Sequence, residues 1–382
     1  MKKETKLSIS QVFVYLVLLF VFVFFSVLTK TFLSTKNLLN ICRQVSMTGI
    51  CAVGMTMVLL TGGIDISAGI MISVSGVIAG SVLAKWPDMW LGAVLAALGV
   101  CAVFGAINGV LVGVFDLPAF IATMSTQAIG RGFALLYSEG RPFSIASPEF
   151  LAMGKGSVGV IPVPVILMLA TCLIGAVVLN QTRYGRHIFA VSGNKTAARA
   201  SGIATRAVEV SVYVISSVTA ALAGCVLAAR ISTGHPASGE GLEMDAIAAT
   251  VVGGTSFSGG IGTISGMMIG ALIMGILNNG LNLLNVSSDY QYIARGVIIA
   301  GAVLLDIRTL KTKPRNILFY NLYVLCIVAG IYFVPYSSPV TLTLAAPAAA
   351  TLIPVVLTKF NSAAASMFYT VLILLSLVLG LI

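Results

Sequence analysis

The sequence predicts an all-α, polytopic transmembrane helical bundle, and three observations carry that reading. Hydrophobic residues make up 58% and charged residues 9% of the 382, with a mean hydropathy of +1.05; a soluble globule is typically about 25% charged, so this chain has too little polar surface to coat one. Apolar runs long enough to cross a hydrocarbon core of roughly 30 Å recur along the chain. Lys and Arg gather in alternate connections between those runs.

The first run, 11–29, follows the basic Met1-Lys2-Lys3-Glu4-Thr5-Lys6. It exceeds a signal-peptide core of about 7–15 residues, and no small-x-small cleavage site follows, so it reads as an uncleaved first helix. Further spans fall near 45–61, 67–84, 90–113, 117–137, 163–180, 208–230, 244–256, 262–284 and 290–306. That makes a core of about ten, the eighth too short to cross fully at about 1.5 Å per residue. Apolar runs near 316–335, 339–357 and 363–382 add about three more, with Pro335, Pro339, Pro347 and Pro354 making the middle one irregular.

With a cytoplasmic N-terminus, the inner segments hold Lys2, Lys3, Lys6, Arg183, Arg186, Lys195, Arg199, Arg206, Arg308, Lys311, Lys313 and Arg315; the outer ones hold Lys30, Lys36, Arg43, Lys85, Arg141, Lys155 and Arg230. The excess lies inside, as membrane topology favours. The net charge of +10 is then largely topological, with no basic face that argues for nucleic acid. The six cysteines lie singly in or beside apolar runs, without a Cys-x-x-Cys pair or neighbouring His, so they read as small buried hydrophobes and imply no metal and no disulfide framework.

Two stretches interrupt hydrocarbon with glycine. TGGIDISAGI, 61–70, and VGGTSFSGGI, 252–261, share Gly-Gly-x-x-x-Ser-x-Gly-Ile. Both fall on the inner side, where a segment reverses. Gly62, Gly63, Gly253 and Gly254 permit positive φ or close helix approach, and Ser67 and Ser258 can bond backbone groups freed by the break. Such turns border a watery pathway, or they are tight hairpins with no pathway role.

The longest charged inner segment is QTRYGRHIFAVSGNKTAARASGIATR, 181–206. Its part from Asn194 to Ile203 has alanines, Lys195 and Arg199 at i and i+4, and a Gly202 stop, which suits a short surface helix. A soluble partner could grip it; a merely solvated basic loop is the plainer alternative. MGKGS, 153–157, is the nearest thing to a phosphate loop, but Glu149 stands where the leading glycine belongs and Gly156 where Ser or Thr should follow the lysine. It reads as a turn-rich outer segment, and the chain carries no ATPase of its own.

The segments NLLNICRQVSMTGICAVGMTMVLLTGGIDISAGI, INGVLVGVFDLPAFIATMSTQAIGRGFALLYSEGRP, YGRHIFAVSGNKTAARASGI, ATVVGGTSFSGGIGTISGMMIGALIMGILNNGL and YQYIARGVIIAGAVLLDIR occur in that order. The chain thereby resembles the monosaccharide permeases of the branched-chain amino acid/sugar permease family, the membrane subunits of bacterial ABC importers of the ribose, galactose, xylose and autoinducer-2 type. The resemblance covers roughly residues 10–310. It implies a type II importer permease core over 1–314 in the bacterial cytoplasmic (inner) membrane. The implied partners are a second permease copy, forming a homodimer, a cytoplasmic double-cassette ATPase, an extracytoplasmic sugar-binding protein and membrane lipid. No enzyme activity and no cofactor are expected in this chain, because ATP and Mg would be bound by the ATPase. Asn194–Ile203 matches the family's coupling segment; Lys195 and Arg199 would carry surface contacts, while Ala197, Ala198 and Gly202 permit close packing. The family gives no role to the hydrophobic extension, 315–382.

A monosaccharide needs a polar, mostly uncharged path. Thr123, Gln127 and Arg131 follow i, i+4, i+8 on the fifth span, and Asn278, Asn282 and Asn285 follow i, i+4, i+7 on the ninth, with Asn279 beside them and Asn108 on the fourth. Helix-to-helix hydrogen bonding is the alternative use of each. Ionisable groups in or near spans are few, chiefly Asp65, Arg131, Asp245, Arg295 and Asp306; each should pair, snorkel or line water, and Asp65 could cap the third span or meet a basic loop. The outer loops 139–164 and 232–243, with Glu139, Arg141, Glu149, Lys155, His235, Glu240 and Glu243, form a natural landing surface for a binding protein. The competing classes are an ion-coupled secondary transporter of a small polar solute, disfavoured because the spans offer no acidic pair, and a passive channel, which would need ring-forming pore residues and no docking loop.

Overall fold

The computed structural model describes residues 9–309, with side chains over 14–303; the runs near 316–335, 339–357 and 363–382 lie outside the described residues. Helices follow the apolar runs in order: α1 Ile9–Leu28, α2 Thr35–Leu60, α3 Ala68–Lys85, α4 Trp90–Gly113, α5 Ala119–Ser138, α6 Pro148–Lys155, α7 Val163–Gln181, α8 Arg183–Gly193, α9 Lys195–Ala200, α10 Thr205–Ile231, α11 Leu242–Val252, α12 Ile264–Leu283 and α13 Ser288–Thr309. Six of these, α2, α3, α4, α7, α10 and α12, are long and apolar enough to cross a membrane. The eighth expected span is α11, whose 11 residues rise only about 16 Å.

The spans read from hydropathy coincide with helices, and α4 matches to the residue. The largest displacement is at α2, expected from 45. It starts ten residues earlier because Ser34 Oγ accepts the Asn37 N–H at 3.3 Å and caps a polar first turn.

The core is built around α10, whose neighbours are α2, α3 and α4. Small residues bring these backbones together, as expected where lipid supplies no hydrophobic drive between helices. On α4, Gly105, Gly109 and Gly113 recur every four residues along one face: Gly105 lies against the Tyr213 carbonyl and Ser217, Gly109 against the Val210 backbone, and Gly113 against Glu209 and the Arg206 carbonyl. Gly54 of α2 meets Ser216, and Gly224 of α10 meets Ile72. A Cβ at Gly54, Gly105, Gly109 or Gly224 would meet backbone across the contact with α10 at under 3.0 Å and force the helices apart, while at Gly113 the fit is tight. The outer faces of α4 and α7 carry exposed Leu91, Leu95, Val103, Leu169, Leu173 and Ile174, a surface matched to lipid tails.

At the end of the bundle where α2 begins and α10 finishes, two short antiparallel ladders close the loops. Phe143–Ser144 (β1) pairs with Thr233–Gly234 (β4), and Ser157–Val158 (β2) with Ile161–Pro162 (β3). MGKGS spans the end of α6 and the start of β2 and forms no phosphate cradle. Glu139, Arg141, Glu149, Lys155, His235 and Glu240 are exposed here.

Candidate functional site

At the opposite end of the bundle, both glycine turns come together. α2 ends at Leu60, and the chain turns through Gly62 at φ +78°. The Gly260 N–H donates to the Leu60 carbonyl at 3.1 Å, so the loop after α11 closes on the turn after α2. The sequence likeness does not extend to backbone conformation. Of the first Gly-Gly pair the left-handed residue is Gly62, while Gly63 is buried against the Tyr213 hydroxyl and Val58; of the second it is Gly254, at φ +90°, while Gly253 packs on Gly266 and Met267, and Gly259 and Gly260 further along are left-handed too. Ser192 at the end of α8 lies against Gly259, which brings the charged segment to the same place.

Beneath the first turn lies a buried polar cluster. Asp65 Oδ1 accepts from the Ser67 N–H at 3.0 Å and the Ser67 hydroxyl at 2.6 Å, and Oδ2 accepts from Ser216 at 2.7 Å. Neither expected role is met: α3 starts at Ala68 with Ser67 at its N-cap and no side-chain cap bond, because Asp65 closes a local turn onto Ser67 just before the helix, and Asp65 meets no basic residue among those described. Contrary to expectation, Ser67 bonds no freed backbone group: its hydroxyl donates to Asp65 and accepts from Asn108 Nδ2 at 2.9 Å, because a carboxylate is the stronger acceptor. Thr123 is buried beside it, donating to Ala119 at 2.8 Å and reaching the Ile64 carbonyl at 3.4 Å. Gln127 is half-buried one turn further along α5. Asn108 and Thr123 are thus gathered at the Gly62–Gly63 turn.

The asparagines of α12 lie elsewhere. Buried Asn278 donates to Asp245 Oδ2 at 3.2 Å, and Asn279 exchanges two 3.0 Å bonds with Asn37. Exposed Asn282 accepts from Gln291 at 2.8 Å. All three bond to other helices or their approaches, and Asn285 leaves the helix at φ +57°.

Two readings of the acidic residues need correction. Glu243, expected on the exposed landing surface, is buried at 6% exposure in the first turn of α11, beside Asp245 at 3%. The spans therefore do contain a buried acidic pair. The reason is the helix start: Gly241 turns left-handed at φ +86° and brings the chain inward two residues early. Asp245 is offset by Arg295 of α13 at 3.1 Å, while Glu243 sits against Gly69 at a helix N-terminus, where the backbone dipole favours negative charge.

The charged segment forms two helices. Thr182 caps α8 by accepting the Gly185 N–H. Asn194 caps α9, its Oδ1 accepting the Ala197 N–H at 2.9 Å. Gly202, at φ +82°, stops α9, and the Ile203 N–H returns to the Ala198 carbonyl at 3.1 Å. Ala198 packs inward, whereas Ala197 and Arg199 are exposed, and Arg199 makes no ion pair among the described residues. Lys195 is engaged inside the chain, 3.2 Å from Asp116 in the α4–α5 turn and 3.0 Å from Glu209 in the first turns of α10. Partial burial works against its charge, but Glu209 and Asp116 outweigh it and raise the ammonium above its usual value. Sequence reasoning missed Glu209 altogether; its only signal was a lone carboxylate at the start of an apolar span.

Residues 37–303 match the family model described as branched-chain amino acid transport system / permease component. The ribose import permease protein RbsC of Bacillus subtilis (strain 168) is 42% identical over 283 residues, 74% of this chain and 88% of the relative. RbsC of Escherichia coli (strain K12) is 44% identical over 285 residues, with the same shares. The D-allose transport system permease protein AlsC of Escherichia coli (strain K12) is 39% identical over 292 residues, 76% of this chain and 90% of the relative. No solved structure matches the chain significantly.

Proposed function

Because the chain belongs to the family of branched-chain amino acid transport system / permease components, we propose that it is the membrane subunit of an ATP-driven importer that carries a monosaccharide delivered by an extracytoplasmic binding protein. The observation that carries the sugar class is the 42–44% identity to two ribose import permeases across three quarters of the chain. The functional unit is the core over 1–314, a bundle of about ten segments in the inner membrane with its N-terminus cytoplasmic. The gathering of α8, α9 and both glycine turns at one end supports α9 as the docking element for a double-cassette ATPase. Arg199 and Ala197, exposed on α9, supply its contact face. ATP and Mg bind to that ATPase, two permease copies enclose the path, and Asn108, Thr123 and Gln127 border it.

A second reading, ion-coupled secondary transport, is favoured by the buried pair Glu243 and Asp245. It is the weaker of the two because Asp245 is already matched by Arg295 and Asn278, which leaves Glu243, whose Oε2 has no hydrogen-bond partner among the described residues, as the one carboxylate of the pair without a basic partner. Vesicles containing the permease, with and without its ATPase and binding protein, separate the readings when offered D-ribose, D-allose and L-arabinose. ATP-dependent uptake of one of them is expected; uptake driven by a proton or sodium gradient without ATPase sinks the proposal.

A further inference from the structure

The docking helix is tied to the membrane bundle at one side chain. Lys195 reaches two carboxylates that belong to different elements: Asp116, at 3.2 Å, lies in the turn joining α4 to α5, and Glu209, at 3.0 Å, lies in the first turns of α10. These three residues come from positions 79 and 14 apart along the chain.

We propose that Lys195 is a transmission residue, through which displacement of α9 by a docked ATPase is passed at once to the α4–α5 turn and to α10. The inference rests on the docking role of α9 proposed above and assigns Lys195 a role distinct from docking.

Three features make the junction suited to transmitting movement. First, its far side is rigid. Gly109 and Gly113 hold the last turns of α4 against Val210, Glu209 and the Arg206 carbonyl of α10, so a pull on Glu209 moves two helices together. Tyr184 of α8 adds a 2.6 Å hydrogen bond to Ser211, which carries the preceding helix with them. Second, the turn at Asp116 is left-handed. Asp116 has φ +54°, a geometry that aspartate adopts more readily than most side chains, and the turn places its carboxylate 3.2 Å from Lys195. Third, the junction is asymmetric in exposure. The Glu209 side chain is 11% exposed and its Oε2 has no hydrogen-bond partner among the described residues, whereas that of Asp116 is 71% exposed. The bond to Glu209 is thus poorly screened and persistent, and the bond to Asp116 is water-screened and able to break. A lysine held on one side and released on the other can couple α9 to α10 throughout while engaging α5 in only one state.

The test uses the full-length permease bound to its ATPase, in wild type and in Lys195→Met, Lys195→Arg, and the exchange Lys195→Glu with Glu209→Lys. Amide hydrogen exchange in residues 114–118 and 205–211 is followed with and without ATP and vanadate, and ATPase co-purification is measured on the same samples. Wild type should show an ATP-dependent change of severalfold in exchange at 114–118. Lys195→Met should retain the ATPase within twofold of wild type but lose that change, Lys195→Arg should keep it, and the exchange should restore part of it. An unchanged response in Lys195→Met, or a wild-type complex with no response at 114–118, overturns the proposal. Loss of ATPase from Lys195→Met makes Lys195 a docking residue and overturns it equally. A wild-type permease that captures no ATPase defeats the docking reading itself, and the transmission role with it.

Discussion

The Gly260 amide donates to the Leu60 carbonyl at 3.1 Å, joining two glycine turns that lie almost two hundred residues apart. Leu60 is the last residue of α2 and has no following helical amide of its own. Gly260 supplies one, at φ +76°. One freed group of each break is therefore satisfied by the other break, while further amides such as those of Gly62, Gly63 and Gly254 bond within their own turns, which is how irregular backbone is accommodated inside a membrane protein.

Gly63→Val and Gly254→Val should both impair transport, for different reasons. Valine at 63 collides with the Tyr213 hydroxyl and Val58, whereas valine at 254 meets open space but must adopt φ +90°, at a cost of about 1–2 kcal/mol or more for a β-branched residue. Sugar uptake per permease molecule should fall further than membrane abundance. Normal uptake by both variants would make the turns simple loops.

Arg199→Glu should weaken ATPase binding about tenfold or more, corresponding to roughly 1.4 kcal/mol. Arg199 is exposed and forms no ion pair among the described residues, so reversal leaves the fold of α9 intact. Co-purification and uptake are the measurements, and wild-type values of both would remove Arg199 from the interface.

Asp65→Ala removes the acceptor for the Ser67 amide, the Ser67 hydroxyl and the Ser216 hydroxyl. Each buried donor left without a partner costs about 1–3 kcal/mol. The purified variant should lose monodispersity at a clearly lower temperature than wild type, and Asp65→Asn, which keeps an acceptor, should fall between them.

Asp245→Ala leaves Arg295 half-enclosed without its counter-charge, at a cost of about 3–5 kcal/mol. Replacing both partners, Asp245→Leu with Arg295→Leu, should recover much of the lost abundance, since a buried pair exchanged for apolar residues is often close to neutral. A double variant as poorly inserted as the single one would show that the pair does more than compensate itself.

Truncation after Arg315 should leave uptake per molecule within about twofold of wild type, because the matched family region ends at residue 303. Loss of uptake at unchanged abundance and ATPase association would place the C-terminal extension in the mechanism.

The membrane class, the order of the helices and the shortness of α11 are determined by the sequence alone. These properties depend on local apolar length, and a stretch such as 90–113 has no alternative but to span. The short helix after Asn194 is equally local: its cap, its alanines and its glycine stop act within one turn of each other. Segment order likewise carries the family, since it needs no coordinates.

Only the tertiary structure decided what the polar residues do. Lys195 looks like a surface charge in sequence, and Glu209 like an isolated acid, until folding brings them to 3.0 Å. Asn278 shares a helical stripe with Asn282 and has Asn279 beside it, yet each of the three bonds to a different segment. Glu243 reads as part of an exposed loop because hydropathy cannot sense that Gly241 turns the chain inward. The two Gly-Gly stretches look alike in sequence and differ in which glycine is left-handed. In each case the deciding interaction joins elements distant along the chain, and in a medium without water a polar group takes the partner that packing brings within reach.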